Sequence, residues 1–202
     1  MTAGPVPKRL PRGRHGLSRE EVVGSQRDRM LRALAEAVAE KGYAKTSVAD
    51  VLTRAGVSRE TFYEQFSSKE DCFLETFDRA GEILLGRVAA TPNGDTAEER
   101  FDALLKAYLN TLASEPAFAR VYLVDSHAAG PEALRRRAAL QGRFVDALVE
   151  LFGRREPHER FACELLVAAV GSMVTTRVAL GDHATLHELH APLVDLVRRV
   201  IG

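Results

Sequence analysis

The chain has 202 residues, 46% hydrophobic and 28% charged, with 28 basic and 28 acidic side chains. That composition excludes wholesale disorder and collagen-like structure, and the length suits one large or two small domains. No apolar run approaches eighteen residues, no apolar secretory segment follows the basic N-terminus, and Cys72 and Cys163 lie far apart, outside any metal spacing, which together predict a cytoplasmic protein with reduced thiols. The zero net charge hides an asymmetry. Residues 1–67 hold 12 basic and 8 acidic side chains, a net +4, whereas residues 68–202 hold 16 and 20, a net −4. A basic front and an acidic back suit one part that meets nucleic acid and another that does not.

Residues 1–19 contain Pro5, Pro7 and Pro11, five basic residues and no acid, and predict a disordered arm. Arg12 and Arg14 flank Gly13, a pattern suited to a narrow minor groove and equally to a charged tail with no partner. From about Arg27 to Lys41, Met30, Leu31, Leu34 and Val38 mark the apolar stripe of a helix that Gly42 ends.

The next stretch organises the rest. Ser47 with Asp50 three residues on fits a capping box, and Val48, Val51, Leu52 and Ala55 give the following helix an apolar face. Gly56 supplies a turn, Val57 plugs the angle, and Ser58 caps a second helix to about Phe66. Phe62 and Phe66 belong to its core side. Arg59 and Tyr63 lie on another side, beside Glu60 and Glu64. This is the layout of a helix-turn-helix, whose second helix enters the major groove. Arginine there reads base edges or phosphate and tyrosine holds phosphate. Ser67 with Glu70 predicts a third capped helix, and Lys69 in its first turn suits a phosphate contact.

Gly42-Tyr43, Thr46-Ser47, Ala55-Gly56-Val57-Ser58, Thr61-Phe62-Tyr63, Phe66 and Lys69-Glu70 together resemble the DNA-binding domain of the tetracycline-repressor (TetR) family over about Arg27 to Phe77. Many members carry glycine where this chain has Glu60. A glutamate there either accepts from cytosine N4 and narrows the operator sequence, or points away from DNA. The DNA-binding set expected is Arg12, Arg14, Thr46, Ser47, Ser58, Arg59, Glu60, Thr61, Tyr63 and Lys69.

Downstream, a long helix is predicted from Lys69 to about Ala90, and a loop over 91–95. Thr96 with Glu99 caps a helix to about Ser114, and Pro116 opens another to about His127. Gly130-Pro131 starts a helix to Arg155, Pro157 one to about Leu180, and a last helix carries Leu193, Leu196, Val197 and Val200. No segment alternates like a strand, so the fold predicted is all-α with about nine helices. Its parts are an arm (1–19), a helix-turn-helix domain (20–68), and an effector-binding and dimerisation domain (69–202).

The segment Phe161–Val178 is apolar on most sides and needs cover on several faces. The resemblance implies a homodimer through the last two long helices and a ligand cavity among the others. Two recognition helices related by a two-fold axis read a palindrome with half-sites about 34–36 Å apart, or a multiple. Polar and aromatic residues within apolar helices are the ligand candidates: Tyr108, Phe118, Tyr122, Asp125, His127, Phe144, Met173 and Arg177. They suit a lipophilic small-molecule effector. Arg177 either holds a carboxylate or pairs with Asp125. His183, His187 and His190 have i,i+4 and i,i+3 spacing, which can hold zinc or nickel, but an exposed histidine-rich turn needs no metal. No metal or cofactor is expected. No Ser-His-Asp grouping, paired carboxylates, phosphate loop or HExxH sequence points to an enzyme. The reading is a ligand-responsive transcription regulator, a repressor released by its effector. The alternative is an architectural DNA binder without an effector.

Overall fold

A computed structural model describes residues 19–91 and 94–200 of the chain. Among them are nine α-helices, two short 3-10 turns and no strand, in agreement with the all-α expectation. The helices are α1 (Arg19–Lys41), α2 (Val48–Ala55), α3 (Arg59–Gln65), α4 (Lys69–Ala89), α5 (Ala97–Ser114), α6 (Pro116–Leu123), α7 (Pro131–Phe152), α8 (Pro157–Ala179) and α9 (His190–Val200). Residues 1–18 of the predicted basic arm, with Arg12 and Arg14, lie outside the described residues, and Arg19 opens α1.

Local signals set most boundaries. Ser47 and Asp50 form the reciprocal capping box of α2, and Thr96 and Glu99 form that of α5. Gly56 closes α2 at φ +64°, a left-handed conformation that glycine adopts without a Cβ clash. Four boundaries differ from the sequence reading. Helix α1 begins about two turns before Arg27, because no proline stops it from propagating. The cap of α4 is Ser68, which accepts from the Asp71 N–H, not Ser67 with Glu70. Asp71 in turn accepts from the backbone and hydroxyl of Ser67. Helix α6 stops at Leu123, and a 3-10 turn over Asp125–His127 completes the segment. Helix α7 stops at Phe152, where Gly153 turns left-handed.

One hydrophobic cluster runs through both halves, from Met30 in α1 to Val197 in α9. Helix α1 contributes Met30, Leu34 and Val38, all fully buried, and packs on α2, α4 and α6. Helix α4 supplies Phe73, Phe77 and Leu84 to the same core and so spans the molecule. Behind it, α7 packs on α8 and α5 on α9. An ion pair from Arg27 to Glu75 joins α1 to α4. The same guanidinium lies 4.8 Å from the Phe66 ring centroid and holds the end of α3.

The expectation of no membrane span meets one marginal case among the described helices, α8, which is long and apolar enough to cross a membrane. Its 23 residues pass that test by length and composition. Only 28% of its most apolar window is buried within the chain, and Phe161, Leu165 and Met173 face outward.

Candidate nucleic-acid interface and effector cavity

The front of the molecule presents α3. Ser58 caps it by accepting from the Thr61 N–H at 3.0 Å, and the two hydroxyls lie 2.9 Å apart. That cap occupies one of the unbonded amides at the helix start and fixes the angle at which α3 leaves α2. Phe62 and Phe66 are buried beneath it, as the i,i+4 spacing predicts. The opposite side carries Ser58, Arg59, Glu60 and Tyr63, all exposed, with Thr61 partly covered at its edge. The Tyr63 ring is 48% exposed and stands edge-on to Phe62. Neither Arg59, Glu60 nor the Tyr63 hydroxyl has a polar partner among the described residues. Arg54, one turn before Ser58, is by contrast committed to Glu40. An unpaired guanidinium beside an unpaired phenol, on a short rigid helix, is a surface ready to meet phosphate and base edges.

The start of α2 is equally firm. Asp50 accepts from the Ser47 N–H at 2.8 Å, and the Lys41 ammonium lies 2.7 Å away. The hydrogen bond from Lys41 and those from Ser47 hold the Asp50 carboxyl well below the usual carboxylate range. Ser47 itself stays exposed.

Two expected contacts turn inward instead. Thr46 is 3% exposed, and its hydroxyl donates to the Gly42 carbonyl at 2.9 Å. Lys69 donates from Nζ to the carbonyls of Tyr43 and Thr46, both at 3.0 Å, and its ammonium lies 4.1 Å from the centre of the Tyr43 ring. Its charge is met by two carbonyls of the α1–α2 turn and a cation–π contact, which offsets its unfavourable place in the first turn of α4. The Tyr43 ring packs edge-on against Phe73 at 4.8 Å, so it is a packing residue.

Behind the front lies an apolar cavity of about 120 Å³ between α5, α6, α7 and α8. Phe101, Leu105, Leu123, Leu148, Leu166 and Val170 are among the apolar residues of its wall. Three residues with polar side-chain groups interrupt it: Tyr108, Tyr122 and Gln141. None of the three has a hydrogen-bond partner among the described residues. Burial pushes the Tyr108 phenol well above its ordinary range and that of Tyr122 up to about 12, so both are neutral donors at any ordinary pH. Phe144 stands edge-on to Tyr108 at 5.9 Å.

Of the eight expected ligand residues, Tyr108, Tyr122 and Phe144 line this cavity. Phe118 lines a smaller space near Ile83 and Thr111, with the Arg32 guanidinium 5.3 Å from its ring. His127 is exposed, 3.4 Å from Arg137. Met173 is exposed on the outer face of α8, and Arg177 donates back to the Met173 carbonyl at 3.4 Å. The supposed pair of Arg177 with Asp125 does not form. Asp125 is paired with Arg120 at 3.1 Å and accepts from the Tyr43 N–H at 2.9 Å. The sequence reading missed Gln141, although a polar residue three before Phe144 and next to the buried Leu140 was a usable signal.

The histidine group loses its premise. His183 lies in an irregular segment, His187 in the 3-10 turn Leu186–Leu189, and His190 starts α9, so they do not share one α-helical face. Among the described residues no three potential ligands gather around a metal-sized site. His190 instead faces Asp102 of α5, with Nε2 3.2 Å from its carbonyl.

A capped two-helix unit with an unpaired polar outer face, braced by α1 and backed by an all-helical half, defines a helix-turn-helix DNA-binding protein. Residues 30–76 match the family of bacterial regulatory proteins called the tetR family. The transcriptional activator FasR of Mycolicibacterium smegmatis is 23% identical over 130 residues, which are 64% of this chain and 59% of that protein. The chain thus spans under two thirds of the length of that curated relative. Among solved structures, the fatty acid degradation regulator FadR of Bacillus halodurans superposes with a TM-score of 0.70 at 20% identity, covering 84% of this chain and 94% of that one. The regulator FadR of Bacillus subtilis, solved with stearoyl-CoA, gives 0.72 at 20% identity over 84% and 96%. Residues 30–76 thus carry the N-terminal domain of the tetR family of bacterial regulatory proteins, and the chain as a whole shares the fold of solved structures of that kind.

Proposed function

We propose that this chain is a cytoplasmic, ligand-responsive repressor that binds palindromic operator DNA as a homodimer and leaves it when a lipophilic effector of the fatty acyl-CoA class enters the back half. The observation that carries this reading is the apolar cavity with three unpartnered polar groups, set in the same hydrophobic cluster as the DNA-facing helices. An architectural DNA binder has no use for such a cavity. At about 120 Å³ the cavity is below the roughly 300 Å³ at which ligand pockets begin. An acyl chain therefore has to push its walls apart, and that displacement is what a response requires. The likeness to a FadR solved with stearoyl-CoA supports the choice of ligand class.

The DNA-facing part comprises about residues 20–68, with Ser47, Ser58, Arg59, Glu60, Thr61 and Tyr63 as its contacts. Thr46 and Lys69 hold the turn that presents them. The homodimer forms through α8 and α9, supported by the outward apolar side chains Phe161, Leu165 and Met173 on α8 and Leu196 on α9. No catalytic role is assigned to any residue.

The test starts with selection of bound sequences from random duplex DNA by the full chain, followed by titration of the selected duplex with stearoyl-CoA. A palindrome, and binding weakened about tenfold or more by the acyl-CoA, are the expected results. Strengthened binding would make the protein an activator of the kind FasR is named for. Unchanged binding across a range of chain lengths would return the architectural reading.

A further inference from the structure

We propose that Asp125 is the positioning residue that reports the state of the cavity to the DNA-facing unit, by gripping the backbone of the α1–α2 turn. This rests on the effector reading above and adds the route.

The cavity side of the connection is short. Tyr122 and Leu123, the last residues of α6, form part of the cavity wall. Asp125 follows two residues later, in the 3-10 turn that continues α6. That turn is tied to α7 by Arg137, whose guanidinium donates to the Leu123 carbonyl and to the Ser126 hydroxyl. Arg137, Gln141 and Phe144 follow one another at i, i+4 and i+7 and so share one face of α7, and the latter two line the cavity. A molecule pressing between Tyr122 on one wall and Gln141 and Phe144 on the other displaces both elements that hold Asp125.

The DNA side is as direct. Asp125 is 6% exposed, and its Oδ1 accepts from the Tyr43 N–H at 2.9 Å. Gly42, at φ +78°, brings that amide to the carboxylate, and a Cβ on it would lie 3.5 Å from the same oxygen. From the other side Lys69 holds the carbonyls of Tyr43 and Thr46. The turn is therefore clamped between an anion that takes its N–H and a cation that takes its carbonyls. Ser47, the next residue, is the cap of α2, so a shift of the turn tilts α2 and α3 as a unit. The partner of the remaining carboxylate oxygen is Arg120, close at 3.1 Å but without the alignment of a hydrogen bond. Arg120 lies on α6 itself, so the pair moves with the cavity wall. A buried carboxylate with one aligned partner in the other half is costly to leave unpaired, so the turn must follow it.

The test measures a ratio, the dissociation constant for the selected duplex with saturating stearoyl-CoA over that without. In the wild type this ratio is expected to be about tenfold or more. Asp125→Ala should bind stearoyl-CoA within about threefold of the wild type yet bring the ratio to about one. Asp125→Asn retains an acceptor for the Tyr43 N–H and should restore most of it. A merely structural role would lower affinity for the duplex or the acyl-CoA and leave the ratio standing, and a wild-type ratio in Asp125→Ala would overturn the proposal. A second arm needs no ligand. Leu166→Phe fills part of the cavity and should speed amide exchange at Tyr43 and weaken duplex binding. In the Asp125→Ala background the same substitution should change neither further, and undiminished effects there would also overturn the route. If stearoyl-CoA fails to bind the wild type, the effector reading falls while this second arm still decides the role of Asp125.

Discussion

Helices α3 and α8 both present an outward face with no partner in the chain, and the contrast between them separates two kinds of recognition. Helix α3 has seven residues, and its outer side carries Arg59, Glu60 and Tyr63, groups that hydrogen-bond and carry charge. Helix α8 has 23 residues and exposes Phe161, Leu165 and Met173, which can only exclude water. A polar polymer suits the first and an apolar surface such as a second copy suits the second. The short helix cannot stand alone, because seven residues are below the length at which a helix is stable in water. Its geometry comes from the Ser58 cap and from two phenylalanines beneath it.

Five substitutions test that contrast, ordered by expected effect. Phe62→Ala removes a fully buried ring from under α3 and should cost about 3–5 kcal/mol of stability. Thermal unfolding is the measurement, and a shift of only a degree or two would mean that α3 does not depend on its core face. Leu165→Glu should leave a folded monomer with at least about 100-fold weaker binding to a two-half-site duplex, because one helix reads few bases. Sedimentation velocity shows the mass, and an intact dimer would remove α8 from the interface. Arg59→Ala and Tyr63→Ala should each cost about 1–3 kcal/mol in duplex binding with little change in melting temperature. Unaltered fluorescence anisotropy titrations would take that face off the DNA. Ser47→Ala removes the α2 cap and should cost about 1 kcal/mol of stability. Chemical denaturation reads it, and a result within error of zero would show that α2 is set by packing alone.

Much of the fold was legible because its signals are local. Ser47 with Asp50, Gly56 and Thr96 with Glu99 each specify a boundary within four residues of sequence, and all three were found where expected. The same kind of signal misled at α4, where Ser67-Ser68 precedes Glu70-Asp71 and two capping registers are available. The chain takes the later one, which lets Asp71 reach back to both the N–H and the hydroxyl of Ser67. Of the candidate site, the outward face of α3 was the legible part. Arg59 and Tyr63 declare themselves by periodicity along one short helix. Lys69 and Asp125 were misplaced because their partners lie 26 and 82 residues away, at Tyr43. A charged residue in an apolar setting announces that it has a purpose without saying which distant backbone it serves. The cavity was half visible, since Tyr108, Tyr122 and Phe144 stood out among aliphatic neighbours while its aliphatic wall looks like any other core.

The hydrophobic cluster that begins at Met30 and ends at Val197 has a bearing on engineering. Helix α1 leans on α6 through that cluster, so the reading head is not a detachable cartridge. A chimera that grafts residues 20–68 onto the back half of a tetR-family protein would lose its matched α6 surface and the carboxylate that receives the Tyr43 amide. Rewiring a sensor to a new promoter is therefore better done by changing the few outward side chains of α3 than by exchanging whole segments.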